Sequence, residues 1–230
     1  MMAPVHAAGP PELGGSRADR GTRVKICGCT SAAEVALAID SGADAVGVIF
    51  APSPRRISPE LAAAATAQVP AGVSIVAVFV DPAMADLERA WELLPRLIPQ
   101  FSGAESPQLC GHLGVPYLKV FPVSADSGRN QPELSAGWQR YPEALAVFET
   151  ASRQRGGSGR TFDWLAVRPL VRQRPAMISG GLNSSNVGAC VRRLRPYAVD
   201  VRSGVESAGA KDPVKLRAFI DSVRRADASA

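Results

Sequence analysis

From Arg23 onward, short apolar runs alternate with longer amphipathic ones. Residues 46–50 and 73–80 are almost continuously apolar, the pattern of strands covered on both faces. Strands are expected at Val24–Cys27, Ala45–Phe50, Val73–Val80, Leu97–Phe101, Tyr117–Phe121, Leu145–Phe148, Ala176–Ser179 and Ala198–Val201. Amphipathic segments of helical period lie at Ser31–Asp40, Pro59–Gln68, Met84–Leu94, Pro107–Leu113, Gln131–Tyr141, Asp163–Val171, Asn183–Leu194 and Asp212–Arg224. Each interval between strands is long enough for a crossover back to a parallel neighbour. Thr30-Ser31, Ser58-Pro59 and Asn183 supply helix caps, and Gly42 falls where the first helix should stop. Eight such units in succession predict one α/β domain over residues 23–226, a (β/α)₈ or TIM barrel. A doubly wound open sheet is the rival, but the G-x-G-x-x-G that favours it does not follow the first strand. Residues 1–22 are rich in Pro and Gly without apolar period and are expected to form a disordered tail or extension.

Composition narrows the function classes. Of 230 residues, 46% are hydrophobic and 20% charged, which suits a globular chain and argues against wholesale disorder. The net charge of +5 favours small anionic ligands such as phosphorylated molecules. No Lys/Arg run exceeds two residues, so no nucleic-acid partner is expected. No apolar stretch approaches the roughly 20 residues of a membrane span, and the first 22 residues lack the apolar core of a secretory signal. Cys27, Cys29, Cys110 and Cys190 are too sparse for a disulfide scaffold, so reduced thiols in a cytoplasm are expected. Cys27-x-Cys29 has no second pair and the chain has two His, so no metal site is expected.

In a barrel, chemistry belongs at the C-terminal ends of the strands and in the loops that follow. Lys25 and Cys27 share one face of the first strand, and Gly28 lets a ligand come close. A thiol at that mouth is a candidate base or nucleophile, or else a small buried hydrophobe. Arg55, in a loop stiffened by Pro54 and Pro59, is either a carboxylate binder or half of a solvated pair with Arg56. The seventh loop carries Gly180 and Gly181, the eighth Ser203 and Gly204, and both suit a phosphate site or plain tight turns. The sixth loop, with Gly157, Ser158, Gly159 and Arg160, is a candidate lid or a Gly-rich linker. Glu149, just past the sixth strand, is a candidate general acid or a surface carboxylate.

The ordered set of short motifs resembles one family. Lys-Ile-Cys-Gly (25–28), Gly-Ala-Asp-Ala-Val-Gly (42–47), Ser-Pro-Arg (53–55), Ser-Pro (58–59) and Val-Phe-Val (78–80) come first. Gly-Gly-Ser-Gly-Arg-Thr-Phe-Asp-Trp (156–164), Gly-Gly-Leu-Asn (180–183), Val-Asp-Val-x-Ser-Gly-Val-Glu (199–206) and Lys-Asp-Pro (211–213) follow. This is similar to phosphoribosylanthranilate isomerases, the Amadori isomerases of tryptophan biosynthesis, over about Val24 to Val223. The resemblance implies a (β/α)₈ fold, no cofactor and no metal. It implies conversion of N-(5-phosphoribosyl)anthranilate to 1-(2-carboxyphenylamino)-1-deoxyribulose 5-phosphate by a monomer or homodimer. By the same resemblance Cys27 is the base, Glu149 the acid, Arg55 the carboxylate arginine, and Lys25 and Asp200 substrate contacts. Gly180, Gly181, Ser203 and Gly204 would hold the phosphate.

Five positions depart from the family pattern: Glu149 replaces an Asp, Phe101 and Ser102 replace the Leu and His of the Gln-Leu-His-Gly motif, Arg160 replaces a lid Lys, and Arg202 replaces a Ser. Two other readings compete with the isomerase. One is a related isomerase of another phosphorylated aminosugar; the other is a non-catalytic barrel that binds phosphorylated ligands.

Overall fold

The fold comes from a computed structural model, which describes residues 10–14, 21–124, 132–151 and 161–229. Eight parallel strands close into a barrel in chain order: β1 Arg23–Ile26, β2 Ala45–Ile49, β3 Ser74–Phe79, β4 Leu97–Phe101, β5 Leu118–Val123, β6 Leu145–Thr150, β7 Ala176–Ser179 and β8 Ala198–Val201. β8 pairs with β1 from Arg23 opposite Ala198 to Ile26 opposite Val201, which closes the ring. The outer layer is α1 Ala32–Asp40, α2 Pro59–Thr66, α3 Met84–Leu93, α4 Pro107–Cys110, α5 Pro132–Gln139, α6 Arg168–Val171, α7 Val187–Leu194 and α8 Pro213–Ala228.

Strand alternation divides the core in two. Outward residues such as Val24, Val46, Ile75, Phe101, Phe148 and Ile178 pack under the helices. Inward residues Ala45, Val76, Leu118, Leu145, Met177 and Ala198 fill the barrel from within. Both faces of each strand are therefore buried, the physical reason for the continuous apolar runs. After β8, the strands β9 Glu206–Ser207 and β10 Ala210–Lys211 form a small hairpin. Ala208 and Gly209 turn it, both with positive φ.

The structure differs from the sequence expectations in three places. Ser31 and Ser58 cap α1 and α2 as expected, but Asn183 does not start α7. Its Oδ1 accepts from the N–H and Oγ–H of Ser185 and its N–H donates to Asn186 Oδ1, so a closed turn precedes the helix. The helix expected over Pro107–Leu113 stops at Cys110, where Gly111 caps it and a further turn closes from Gly114 N–H to the Gly111 carbonyl. The helix expected over Asp163–Val171 splits into a short 3₁₀ turn, Trp164–Ala166, and α6. Pro169 lacks the N–H that would continue one helix through both. Within the first 22 residues, the short segment 10–14 is described. Leu13 is fully buried against the inward layer, its N–H donating to Tyr197 Oη at 2.8 Å, and Gly14 N–H donates to Ser74 Oγ. One leucine thus closes the end of the barrel away from the strand C-termini, where an open apolar ring would otherwise meet water.

Candidate active site

The inward face changes character at the C-terminal ends of the strands. On β6, Val147 is followed by Glu149; on β7, Met177 by Ser179; on β8, Ala198 by Asp200. Glu149 lies opposite Ser179 and Lys25 opposite Asp200 in the strand register. Ser179 Oγ donates to Asp200 Oδ2 at 3.0 Å and Lys25 Nζ to Asp200 Oδ1 at 2.9 Å. Four adjacent strands therefore carry one row of polar side chains round the mouth. Lys25 is wholly buried. Burial alone would discharge it, but the carboxylate of Asp200 and the thiol of Cys27 outweigh that and hold its pKa above the ordinary lysine value.

Cys27 is the next inward residue after Lys25. Burial raises its pKa above the ordinary thiol value. Lys25 pulls the other way through its charge and a hydrogen bond, and Lys211 through its charge, while Asp200 adds to the rise. The close fit of Cys27 and Lys25 explains a glycine on the next strand. A Cβ on Gly47 would lie 3.0 Å from Cys27 Sγ and 3.2 Å from Lys25 Cε. Glu149 has its pKa raised to about 6, chiefly by burial and then by Asp200, with Lys25 and Arg202 opposing. At neutral pH a useful fraction of this carboxyl carries its proton, unlike an exposed Glu at about 4.3.

Cys27 and Glu149 line the same cavity, with a volume of about 410 Å³, together with Gln100, Ser179, Asp200 and Arg202. Gly180, Gly181, Ser203 and Gly204 line it too, from the β7 and β8 loops. Those loops touch: a Cβ on Gly204 would fall 2.0 Å from the Leu182 carbonyl oxygen, so only glycine lets them meet. Gln100 Oε1 is buried without a hydrogen-bond partner, an acceptor available to a ligand hydroxyl.

Arg55 stands elsewhere. It does not line the cavity among the described residues. Its Nε donates to the Gly28 carbonyl at 2.6 Å, and its other nitrogens reach the Gly209 carbonyl and the Glu34 carboxylate. Glu206 Oε1 lies 3.5 Å from Nε. Burial works against the charge on Glu34, yet Arg55 and the N–H groups of Thr30 and Lys211 hold its pKa down at about 2. Buried Lys211 completes the cluster, donating to the Cys27 carbonyl at 2.6 Å and Glu206 Oε1 at 2.8 Å. Two cations and two carboxylates thus lock the end of β1, the start of α1 and the β9–β10 hairpin behind the cavity wall.

Sequence reasoning gave no role to Lys211, Ser179, Gln100 or Gly47. Lys211 and Gly47 sat inside quoted motifs; Ser179 and Gln100 could have been found by carrying strand alternation two residues past Met177 and Ile98. The expected lid residues Gly157, Ser158, Gly159 and Arg160 lie outside the described residues. All four cysteines are unpaired and buried. No helix among the described residues is long and apolar enough to cross a membrane.

The closed ring of strands, with a buried thiol and a carboxyl of raised pKa at one mouth, defines a (β/α)₈ barrel suited to acid–base chemistry. A family model described as N-(5'phosphoribosyl)anthranilate (PRA) isomerase matches residues 24–222. The chain belongs to that family. The N-(5'-phosphoribosyl)anthranilate isomerase of Bordetella petrii is 43% identical over 212 residues, 90% of this chain and 96% of that protein. The crystal structure of the enzyme from Thermotoga maritima superposes with a TM-score of 0.78 at 35% identity, covering 89% of this chain and 99% of that one. A further structure, phosphoribosyl anthranilate isomerase in complex with reduced 1-(o-carboxyphenylamino)-1-deoxyribulose 5-phosphate, has a TM-score of 0.76 at 32% identity with the same coverage.

Proposed function

We propose that this barrel isomerises N-(5'-phosphoribosyl)anthranilate to 1-(o-carboxyphenylamino)-1-deoxyribulose 5-phosphate, a step of tryptophan biosynthesis, with Glu149 as acid and Cys27 as base. The observation that carries the reading is the shared cavity of a proton-bearing carboxyl and a thiol set beside a buried ammonium. Glu149 gives its proton to the furanose ring oxygen as the bond from that oxygen to C1′ breaks. The nitrogen lone pair closes to C1′, leaving an open-chain iminium. The iminium acidifies C2′–H. Cys27, as thiolate, takes that proton, and the C–H electrons form the C1′–C2′ double bond of an enolamine. Proton return to C1′ and loss of the C2′ hydroxyl proton give the ketone.

Lys25 stabilises the thiolate as it forms and is itself held by Asp200, which Ser179 orients. The loops around Gly180, Gly181, Ser203 and Gly204 offer backbone N–H groups to the phosphate. Arg55, through Gly28 and Glu34, fixes the rim beside Cys27.

The test follows the loss of fluorescence as freshly made phosphoribosylanthranilate is consumed, backed by growth of a tryptophan auxotroph that carries this chain. Turnover that disappears in Cys27→Ser supports the reading. Wild-type protein that binds the reduced product but never consumes substrate would mark a non-catalytic phosphate-binding barrel.

A further inference from the structure

Lys211 sits on β10 and runs its side chain, wholly buried, back to the end of β1. Its ammonium has three protons and three acceptors: the Cys27 carbonyl at 2.6 Å, Glu206 Oε1 at 2.8 Å and the Arg202 carbonyl at 3.3 Å. Cys27 N–H donates to the Val201 carbonyl at 2.8 Å, and β8 ends at that residue. The Cys27 carbonyl then accepts from Lys211 instead of from a further backbone N–H of β8. The thiol therefore sits where regular strand pairing stops, and one side chain continues the pairing. Lys211 is itself held in place. It lies opposite Glu206 in the hairpin register, and its N–H donates to Glu34 Oε1 at 3.1 Å. Lys215 Nζ donates to the Glu206 carbonyl at 2.7 Å, and Arg55 to the carbonyl of Gly209 in the turn.

The charged and titratable groups round the thiol are Lys25 and Cys29 along its own chain segment, Asp200 on β8, Arg202 in the loop after it, Glu149 on β6 and Lys211 on β10. Glu34, Arg55 and Glu206 stand behind them. The neighbouring β2 offers Gly47 and Ile49, which carry no charge. Burial and Asp200 disfavour the thiolate, while Lys25 and Lys211 favour it. The two ammonium groups are not equivalent. The partner of Lys25 is Asp200, which lines the cavity and itself works against the thiolate. The partner of Lys211 is Glu206, and neither is among the described residues lining the cavity. The charge of Lys211 thus reaches the thiol from behind, with its counterion kept out of the cavity.

We propose that Lys211 is a positioning residue for the base: it holds the Cys27 backbone against the loop after β8 and favours the thiolate with its charge, from outside the substrate cavity. The inference rests on the isomerase reading for the use made of that thiolate, and its own content is the link between hairpin and thiol. It gives the β9–β10 hairpin a part in the chemistry, as the arm that carries an ammonium to the end of β1.

The experiment pairs two substitutions of opposite electrostatic sign, Lys211→Met and Glu206→Gln, each checked for unchanged circular dichroism. Two rates are read at a single mildly alkaline pH. One is alkylation of Cys27 by iodoacetamide, with peptide fragmentation to tell it from Cys29. The other is consumption of freshly made phosphoribosylanthranilate. Lys211→Met should raise the thiol pKa by about one unit. The thiolate fraction then falls about tenfold while each thiolate becomes about threefold more nucleophilic, so alkylation slows about threefold. The kcat should fall by about threefold to tenfold, with KM within about twofold. Glu206→Gln keeps a hydrogen-bonding partner but removes the opposing charge, so both rates should rise, by up to about threefold. It carries the test alone if Lys211→Met does not fold. A hairpin that merely props the wall predicts the reverse at the thiol: Lys211→Met would loosen the wall, and alkylation would quicken as turnover falls. That result overturns the proposal. So does unchanged alkylation in Lys211→Met, a rise in KM alone, or a failure of Glu206→Gln to raise the two rates. Failure of the isomerase reading looks different: alkylation would shift as expected in both variants, while wild type consumes no phosphoribosylanthranilate.

Discussion

The two ends of this barrel are built from the same strands and differ by one step of the pleat. At the closed end, Ala45, Leu145, Met177 and Ala198 surround Leu13, and all five are fully buried. At the mouth, the next inward residues or the ones after them are Gly47, Glu149, Ser179 and Asp200. The closed end holds the ring together by excluding water. The mouth holds charge at buried positions, which is stable only because each group has a partner: Lys25 with Asp200, Lys211 with Glu206, Arg55 with Glu34. Among the described residues, Glu149 and Arg202 are the exceptions, with no such partner, and both line the cavity. Unpartnered charge thus marks the place for a ligand more sharply than charge itself.

Substitutions at the two ends should therefore separate activity from stability. The largest effect is expected for Cys27→Ser. It removes the base but almost no volume, so turnover should fall about a hundredfold to ten-thousandfold with little change in melting temperature. Residual activity near wild type would remove Cys27 from the mechanism. Glu149→Gln should fall in the same range, whereas Glu149→Asp keeps the carboxyl and should lose less.

The closed end gives the opposite signature. Leu13→Ala should lower stability by about 2–3 kcal/mol in urea titrations, since a buried leucine leaves a cavity that the rigid ring cannot fill. The rate at 25 °C should stay within about twofold, because no residue of the mouth moves. An unchanged unfolding midpoint would mean that the Pro10–Gly14 segment does not seal the barrel.

How much of this was legible in the sequence follows the same division. The eight strands were, because each is buried on both faces and its apolar run is continuous. Cys27, Glu149 and Asp200 were legible as residues at strand ends, and they do line one cavity. Leu13 was not, because a lone leucine among Pro and Gly has no period to read. Nor was the fate of Arg55. Its partners Glu34, Gly209 and Glu206 come from α1 and the hairpin after β8, and nothing local in Ser-Pro-Arg announces them. Arg202 stood out only as an unusual residue in the eighth loop. Among the described residues its guanidinium has no hydrogen-bond or ion-pair partner, which only the folded arrangement reveals.

The finest test of the mouth is its pH profile. The rearrangement needs Glu149 protonated and Cys27 ionised, yet Glu149 titrates at about 6 and Cys27 above the ordinary thiol range. The productive pair is then a minority species, and the limbs are reversed from the usual assignment. Below about pH 6, thiolate grows tenfold per pH unit while Glu149 stays protonated, so the rate rises. Above that, loss of the Glu149 proton cancels the gain in thiolate and the rate is flat, until Cys27 ionises and the rate falls. The lower limb thus reports the acid. In Glu149→Gln the residual rate should keep climbing through pH 6 up to the thiol pKa. In Arg202→Ser the lower limb should move upward, because the lost cation had been favouring the carboxylate. A lower limb that stays near 6 in Glu149→Gln would assign it to another group and separate the raised carboxyl from the chemistry.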